Sequence, residues 1–381
     1  MSNPSLLCVP YRFKTSTLYS QIPDSGLGDF TVTRSASNAA TRVNAQGFIE
    51  TVADNVPRLD YPLGGITAGC PALLVEPSAQ NLVLHSRDLT NAVWSGSNVT
   101  TAKNAVGADG VASGATTLTA TAASGTVLQA LSHASQSRIF SAYVRRVSGS
   151  GAIQMTTNGG TNWTTVTISS LYTQVACAAQ TVASGTVGFR MAVSGDVIEV
   201  DFTQGEVGPV FTSPIPTTTA AVTRNADVVS VSGTVSGAIG QTEGTIYCEF
   251  VNTLVASYTE SYVYRVFADA NNEIWARKEG GGNTYSFRWR ANSQNTTFLN
   301  VAVPNGVSKI AFGYKSGDTA LFLNGSQVAT TNTDVRAFSV NPTTIALGST
   351  SSGQFFNDRI RSAALYTTRL TNDQLAALTT L

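Results

Sequence analysis

Apolar and polar residues alternate with a period of two along most of this chain. In IFSAYVRRV, Phe140, Ala142 and Val144 take one face while Ile139, Ser141, Tyr143 and Arg145 take the other, the pattern of a strand with unlike faces. Similar stretches (ATTLTATA, TVLQAL, AIQMTTN, WTTVTIS, YTQVACA, GTVGFRMAV, VIEVDFTQ) follow at short spacing from 92 to 225, separated by Gly, Ser and Asn turns. That spacing predicts a β-sandwich, with Tyr143 and Trp94 assigned to its core. A second series, from GTIYCEFV through YVYRVFAD, EIWARKE, TYSFRWRA, TTFLNVAV and TTIALGST to DRIRSAALYTTRL, predicts another sandwich over 240–381. Within it, Asn324-Gly325 supplies the two positive φ angles of a type I′ hairpin turn. Only the last residues read as helix: Thr371 and Gln374 form a capping box, and Leu370 and Leu375 have the spacing of a hydrophobic staple. Its expected task is to close the sandwich edge.

The first 57 residues hold no long periodic element. Pro23-Asp24-Ser25-Gly26 marks a turn before the short strand DFTVTR. Such a segment buries little of itself, so it is expected to fold against the next domain and to dock on a partner. Residues 58–91 read as junction strands: CPALLV is bracketed by Pro71 and Pro77, and Gly64, Gly65 and Gly69 permit tight turns before it. The prolines and threonines of 214–233 favour extended backbone, so an interdomain linker is expected at 226–239. The predicted class is therefore all-β: an N-terminal docking segment, two antiparallel β-sandwich (jelly-roll) domains and a short C-terminal helix.

Charged residues make up 12% of the 381, against an ordinary ~25%, and Gly, Ser, Thr and Asn fill the deficit. The formal net charge is zero and no basic stripe runs along the chain, which disfavours nucleic acid as a partner. Cys8, Cys70, Cys177 and Cys248 are widely separated, unlike the clustered cysteines of zinc sites or disulfide scaffolds. They read as free thiols made in a reducing compartment. The N-terminus lacks a basic n-region, so no secretory signal is expected. No apolar run approaches the ~18 residues of a membrane helix.

Catalytic residue types are sparse. His85 and His133 stand in different contexts and read as surface or capping residues. The acid pairs Asp196/Glu199 and Asp201/Glu206 have the residue types of a glycosidase, but strand alternation already accounts for them. Gly280-Gly281-Gly282 sits in a hairpin context rather than a phosphate loop. Asp318, Asn324, Asn357 and Asp358 read as turn residues, so neither metal nor cofactor is expected, and the chain is not expected to be an enzyme. Sugar binding needs flat aromatic faces with polar groups beside them. The candidates are Trp275 with Arg277, then Trp163, and Trp289 with Tyr285. The alternation of TYSFRWR favours the core for Tyr285, Phe287 and Trp289 over a ligand.

The series TRVNAQGFIETVADNVPRLDY followed by CPALLVEPSAQNLVLHSRDLTNAVW, with Arg58, Asp60, Tyr61, Cys70-Pro71, Glu76-Pro77, Asn81 and Trp94 in order, resembles a segment of bacteriophage structural proteins that joins a virion-binding N-terminus to distal sandwiches. Gln204, Glu206, Gly208, Thr212, Ser213, Ile215-Pro216-Thr217, Arg224 and Asp227 resemble the end of a carbohydrate-binding-like sandwich in phage appendages, departing from it at Pro214. The order GTIYCEF, IAFGYKSGDTALFLNGSQVA, IALGS and FFNDRIRSAALYTTRLTNDQLAAL resembles a concanavalin A-like (laminin G-like) jelly roll. The resemblance implies a fibre, spike or decoration protein located in the virion and present in multiple copies or as a homo-oligomer. Its N-terminus would dock on other virion proteins and its sandwiches would adhere to host surface polysaccharide. The alternatives it leaves are a polysaccharide depolymerase and a ligand-free cement protein.

Overall fold

The computed structural model describes residues 3–35, 40–63, 69–233, 235–253, 260–280, 282–333, 337–350 and 353–381. The turns assigned to Gly64, Gly65 and Gly281 lie outside them. The chain is all-β with one short C-terminal helix, and its strands form two sandwiches of antiparallel sheets. In the smaller sandwich, one sheet runs Ser95–Ser97, Gly125–Ala130, Thr186–Met191, Ile153–Thr156, Thr164–Val166. Its partner runs Val99–Ala105, Ala115–Ala120, Val197–Val207, Gln136–Ser148, Thr173–Ala176, with Gln180–Val182 also on Gln136–Ser148. Phe140, Ala142 and Val144 point inward as the alternation requires. Phe140 meets Phe189 edge to face at 5.3 Å among Trp94, Met155 and Met191.

The larger sandwich holds strands from both ends of the chain. One sheet runs Ser326–Thr331, Thr319–Leu323, Gly306–Lys315, Glu243–Asn252, Asp358–Tyr366, Ala72–Val75, Leu59–Asp60, and Leu6–Cys8 also pairs with Asp358–Tyr366. The facing sheet runs Phe13–Lys14, Thr17–Leu18, Phe30–Thr33, Val228–Ser232, Thr344–Leu347, Ser261–Asp269, Asn272–Lys278, Thr284–Ala291, Gln294–Ala302. Phe250, Tyr285 and Phe356, and Trp289 with Tyr314, lie between the sheets. Asn324 and Gly325 both have positive φ, 48° and 84°, so the expected hairpin forms. The helix Asn372–Thr379 carries the Thr371/Gln374 capping box. Leu370 and Leu375 anchor it over Tyr247, Ala311 and Phe322, so it covers a sheet's outer face rather than closing an edge.

Two expectations about chain organisation change. Residues 1–57 fold against a sandwich, as expected, but it is the C-terminal one and not the next in sequence. Leu6 pairs with Leu365, and Val32 with Val229, because Leu6, Leu18, Phe30 and Val32 bury their apolar faces in the larger core. The 226–239 segment is not a linker. Val228–Ser232 lies between Phe30–Thr33 and Thr344–Leu347, with Val229 and Val231 buried at the period of two.

Where the two sandwiches meet, five charged side chains are buried together. Arg58 donates from Nη1 to Glu76 Oε2 at 2.6 Å, to Ser213 Oγ at 2.7 Å and to the Thr41 carbonyl at 3.2 Å. It also donates from Nε to Asp227 Oδ1 at 3.2 Å, and from Nη2 to Asp227 Oδ2. Arg34 Nη1 reaches Asp227 Oδ1 at 2.9 Å, and Arg224 Nη1 reaches Glu76 Oε2 at 2.6 Å. Backbone amides complete the acceptors: Ser213 N donates to Glu76 Oε1 and Glu76 N to Asp227 Oδ2. Burying charge is costly unless every lone pair is matched. Here the matching groups come from the N-terminal segment, the junction, the exit of the smaller sandwich and the return into the larger.

Burial alone would raise the Glu76 carboxyl, but Arg224 and Arg58 outweigh it and hold it down at about 2. A carboxylate with a depressed folded-state value stabilises the fold above its unfolded value, near 4.5, and loses that contribution as pH falls towards about 2. Asp201, Glu206 and Asp358 are raised by burial and act in the opposite direction. Comparison with a Glu76→Gln variant isolates the Glu76 contribution. At neutral pH this variant is expected to be about 3–5 kcal/mol less stable by chemical denaturation, with the gap narrowing below about pH 4.5. A gap that stays constant across that range would rule out this role for Glu76.

Candidate functional site

The five residues singled out for sugar stacking do not converge. Trp163 belongs to the smaller sandwich; Trp275, Arg277, Tyr285 and Trp289 belong to the larger. Tyr285 and Trp289 are wholly buried in its core, so neither ring has a face for a ligand. Their inward alternation with Phe287 opposite the other sheet is the reason. Trp275 does lie on the outer face of its sheet, yet it is only 1% exposed. Arg277 and Arg288 lie over its ring at 4.8 and 4.9 Å, Tyr262 meets it edge-on at 5.7 Å, and its Nε1 donates to Glu273. Cross-strand pairing sets Arg288 opposite Trp275, and Arg277 follows two residues on along the same strand face. Trp163 is half-buried, packed close to Gly160, with the Arg190 guanidinium 4.6 Å from its ring. The aromatic faces offered by sequence are thus occupied by the protein's own residues.

A different place has the shape of a site. A cleft of about 640 Å³ opens between the sandwiches, a size within the ~300–1,000 Å³ of ligand pockets. The smaller sandwich supplies Tyr143, Tyr172 and Gln174; the junction supplies Asp60, Tyr61 and Cys70; the larger supplies Arg359 and Arg361. A deeper chamber of about 260 Å³ shares Asp60, Tyr143, Gln174 and Arg359 with it. Another of about 370 Å³ adjoins at Leu63, Tyr172 and Thr173.

Strand geometry positions these groups. Tyr143 sits on the outward-facing set of Gln136–Ser148: it is buried, as expected of a core residue, but in a second cluster with Val43, Ile49, Ala108 and Phe202 at the cleft rather than between the sandwich's sheets. It packs edge-on to Phe202 and donates to Gln174 Oε1 at 3.2 Å, while Gln174 Nε2 donates to the Thr212 carbonyl at 2.9 Å. Tyr172 donates to the Val106 carbonyl at 2.9 Å, and Arg145 lies 4.7 Å from its ring. Burial pushes both phenols well above their ordinary range, so each stays a neutral hydroxyl. Asp60 accepts from Val43 N at 2.7 Å and from Arg359 Nε at 2.6 Å, which fixes that guanidinium at the cleft wall. Tyrosine faces beside fixed polar groups can hold a polar ligand that also has an apolar face.

The carboxylates considered for glycosidase chemistry are engaged elsewhere. Asp201 forms a two-point ion pair with Arg87, Glu199 pairs with Arg145, and Glu206 is buried under Thr212 and Gln204. Asp196 accepts from Gly151 N. Sequence reasoning missed Tyr143, Tyr172, Gln174, Arg359 and Arg361. The available signals were the outward parity of Tyr143 and Asp60-Tyr61 in the junction.

No protein-family model matches the chain, and no curated protein sequence does. Several solved structures are similar in fold over about two fifths of it. The CBM40 of the Ruminococcus gnavus IT-sialidase, bound to α2,3-sialyllactose, matches at 16% identity and a TM-score of 0.34, over 39% of this chain and 88% of that one. Domain 4 of AbnA, a GH43 extracellular arabinanase from Geobacillus stearothermophilus in complex with arabinotriose, matches at 16% and 0.34, over 40% and 73%. The binding domain of botulinum neurotoxin DC in complex with rat synaptotagmin II matches at 14% and 0.33, over 40% of each chain. Similarity at this level carries no functional argument. No described helix is long and apolar enough to cross a membrane.

The cleft has a built-in reporter. Cys8, Cys177 and Cys248 are buried, and burial pushes their thiols up, to about 12 for Cys8 and about 11 for Cys177. Cys70 is exposed on the cleft wall. A maleimide at neutral pH is expected to label one of the four thiols in the native protein and all four after denaturation, read by intact mass. Fast native labelling of a second cysteine would show that a core assigned here as closed is open.

Proposed function

We propose that this chain is a display protein of a phage-like particle, and that the cleft between its two sandwiches holds a surface glycan. The observation that carries the reading is the cleft itself: Tyr61, Tyr143 and Tyr172 stand beside Gln174, Asp60 and Arg359 in a recess of ligand size. The virion setting rests on the resemblance of the junction and sandwich-exit residues to phage structural proteins. Their counterparts here, Arg58, Glu76, Ser213, Arg224 and Asp227, join the sandwiches through buried ion pairs. A rigid pair of modules suits a protein that presents one surface at a distance. Docking would use the folded sandwich surface rather than a free arm. Tyr11 and Phe13 are exposed beside the edge strand Phe13–Lys14 and offer one such surface. Many copies on one particle would let weak cleft binding act through avidity.

The test is a glycan array probed with the full chain, followed by titration of the best oligosaccharide. Replacing the half-exposed Tyr172 by alanine is expected to weaken binding about tenfold, the effect of losing an aromatic face worth ~1.4 kcal/mol. Binding that survives Tyr172→Ala unchanged would place the glycan elsewhere. No binding to any glycan would leave a ligand-free decoration protein, and release of reducing ends would make it a depolymerase.

A further inference from the structure

The charges around the cleft are arranged asymmetrically. Arg359, Arg361 and Arg145 have side chains 37%, 35% and 32% exposed. Their carboxylate partners lie behind them: Asp60 is 2% exposed, Glu199 14% and Glu249 17%. Each ion pair therefore turns its anion inward and its cation outward. Both Asp60 oxygens are already committed, to Val43 N and Arg359 Nε. Glu199 Oε2 accepts from Arg145 Nε.

The guanidinium groups are less committed. Among the described residues, Arg359 donates from Nε to Asp60, and its Nη1 lies 3.8 Å from Asp358, beyond hydrogen-bond reach. Arg361 Nη1 is 3.2 Å from Glu249 Oε1. The planar fork of a guanidinium matches a carboxylate or sulfate at two points. A ligand entering between Tyr172 and Arg361 would meet donors and positive charge, while the compensating carboxylates remain shielded by the arginines in front of them.

We infer that the cleft selects an acidic glycan, one whose sugars carry carboxylate or sulfate groups. The inference rests on the reading of the cleft as a glycan site and adds the chemical class of its ligand. The acidic group would sit against Arg359 and Arg361, with the sugar ring on the tyrosines.

The test uses the full chain on an array of uronate-, sialate- and sulfate-bearing oligosaccharides printed beside their carboxyl-reduced or desulfated counterparts. Binding is expected to the acidic members and to fall with added salt. Carboxyl reduction or desulfation should abolish it, and which treatment does so tells the two acidic classes apart. Arg361→Gln, which removes a surface cation and spares the buried Asp60 pair, is expected to weaken acidic ligands about tenfold. Tyr172→Ala should weaken binding of any cleft ligand. Equal binding to the neutral counterparts, still sensitive to Tyr172→Ala but not to Arg361→Gln, would overturn the acidic class and leave the glycan site standing. Absence of binding to every member would remove both.

Discussion

The rest of the structure depends on the buried grouping of Arg34, Arg58, Glu76, Arg224 and Asp227. Three cations and two anions removed from water would be strongly destabilising as separate groups. They are tolerated because each carboxylate oxygen meets at least one guanidinium or amide donor. The donors arrive from segments before and after the inserted sandwich, so the grouping forms only when those distant segments come together. It provides directional contacts between the entry and exit of the inserted module.

The path of the chain follows from the same requirement. The larger sandwich starts with Leu6–Cys8, is interrupted by the whole smaller sandwich, and resumes at Val228–Ser232. Entry and exit of the inserted module therefore lie side by side, and Ala79–Asn81 pairs there with Val222–Arg224. Arg58 and Glu76 precede the insertion, Ser213 and Arg224 follow it, and their contacts close its base. The cleft is the space left beside that base. Its walls are the outward face of Gln136–Ser148 on one side and of Asp358–Tyr366 on the other.

Outward-facing residues in this fold meet two fates. On the far sheet of the larger sandwich, Trp275 is covered by Arg288 from the next strand and Arg277 from its own, which fill the positions where a ligand would stack. In the cleft, Arg145 lies over Tyr172 and Tyr143 is buried beside Phe202, while Arg359 is held back at the wall by Asp60. The residue types are the same in both places. The difference is the open recess beside the cleft residues.

Much of the fold was legible in the sequence because period-two burial is a local property. The inward set Phe140, Ala142, Val144, the Asn324-Gly325 hairpin and the capped C-terminal helix each follow from neighbouring residues alone. The core alternative for Tyr285 and Trp289 was legible for the same reason. Alternation gives the face a residue takes within its strand, but not what lies beyond that face. Hence Tyr143, buried as expected, packs in a cluster at the cleft rather than between the sandwich's sheets, and Trp275 was assigned to a ligand when two arginines cover it. Which sandwich receives 1–57, and that 226–239 holds a strand, were not legible because short strands show their apolar positions only weakly until a sheet edge exists to receive them. The sequence by itself determined strands, turns and two sandwiches. Only the tertiary structure decided that one sandwich interrupts the other, that charges would be buried at the seam, and that the seam would leave a cleft. Those outcomes depend on contacts between residues more than a hundred positions apart, such as Arg58 with Asp227.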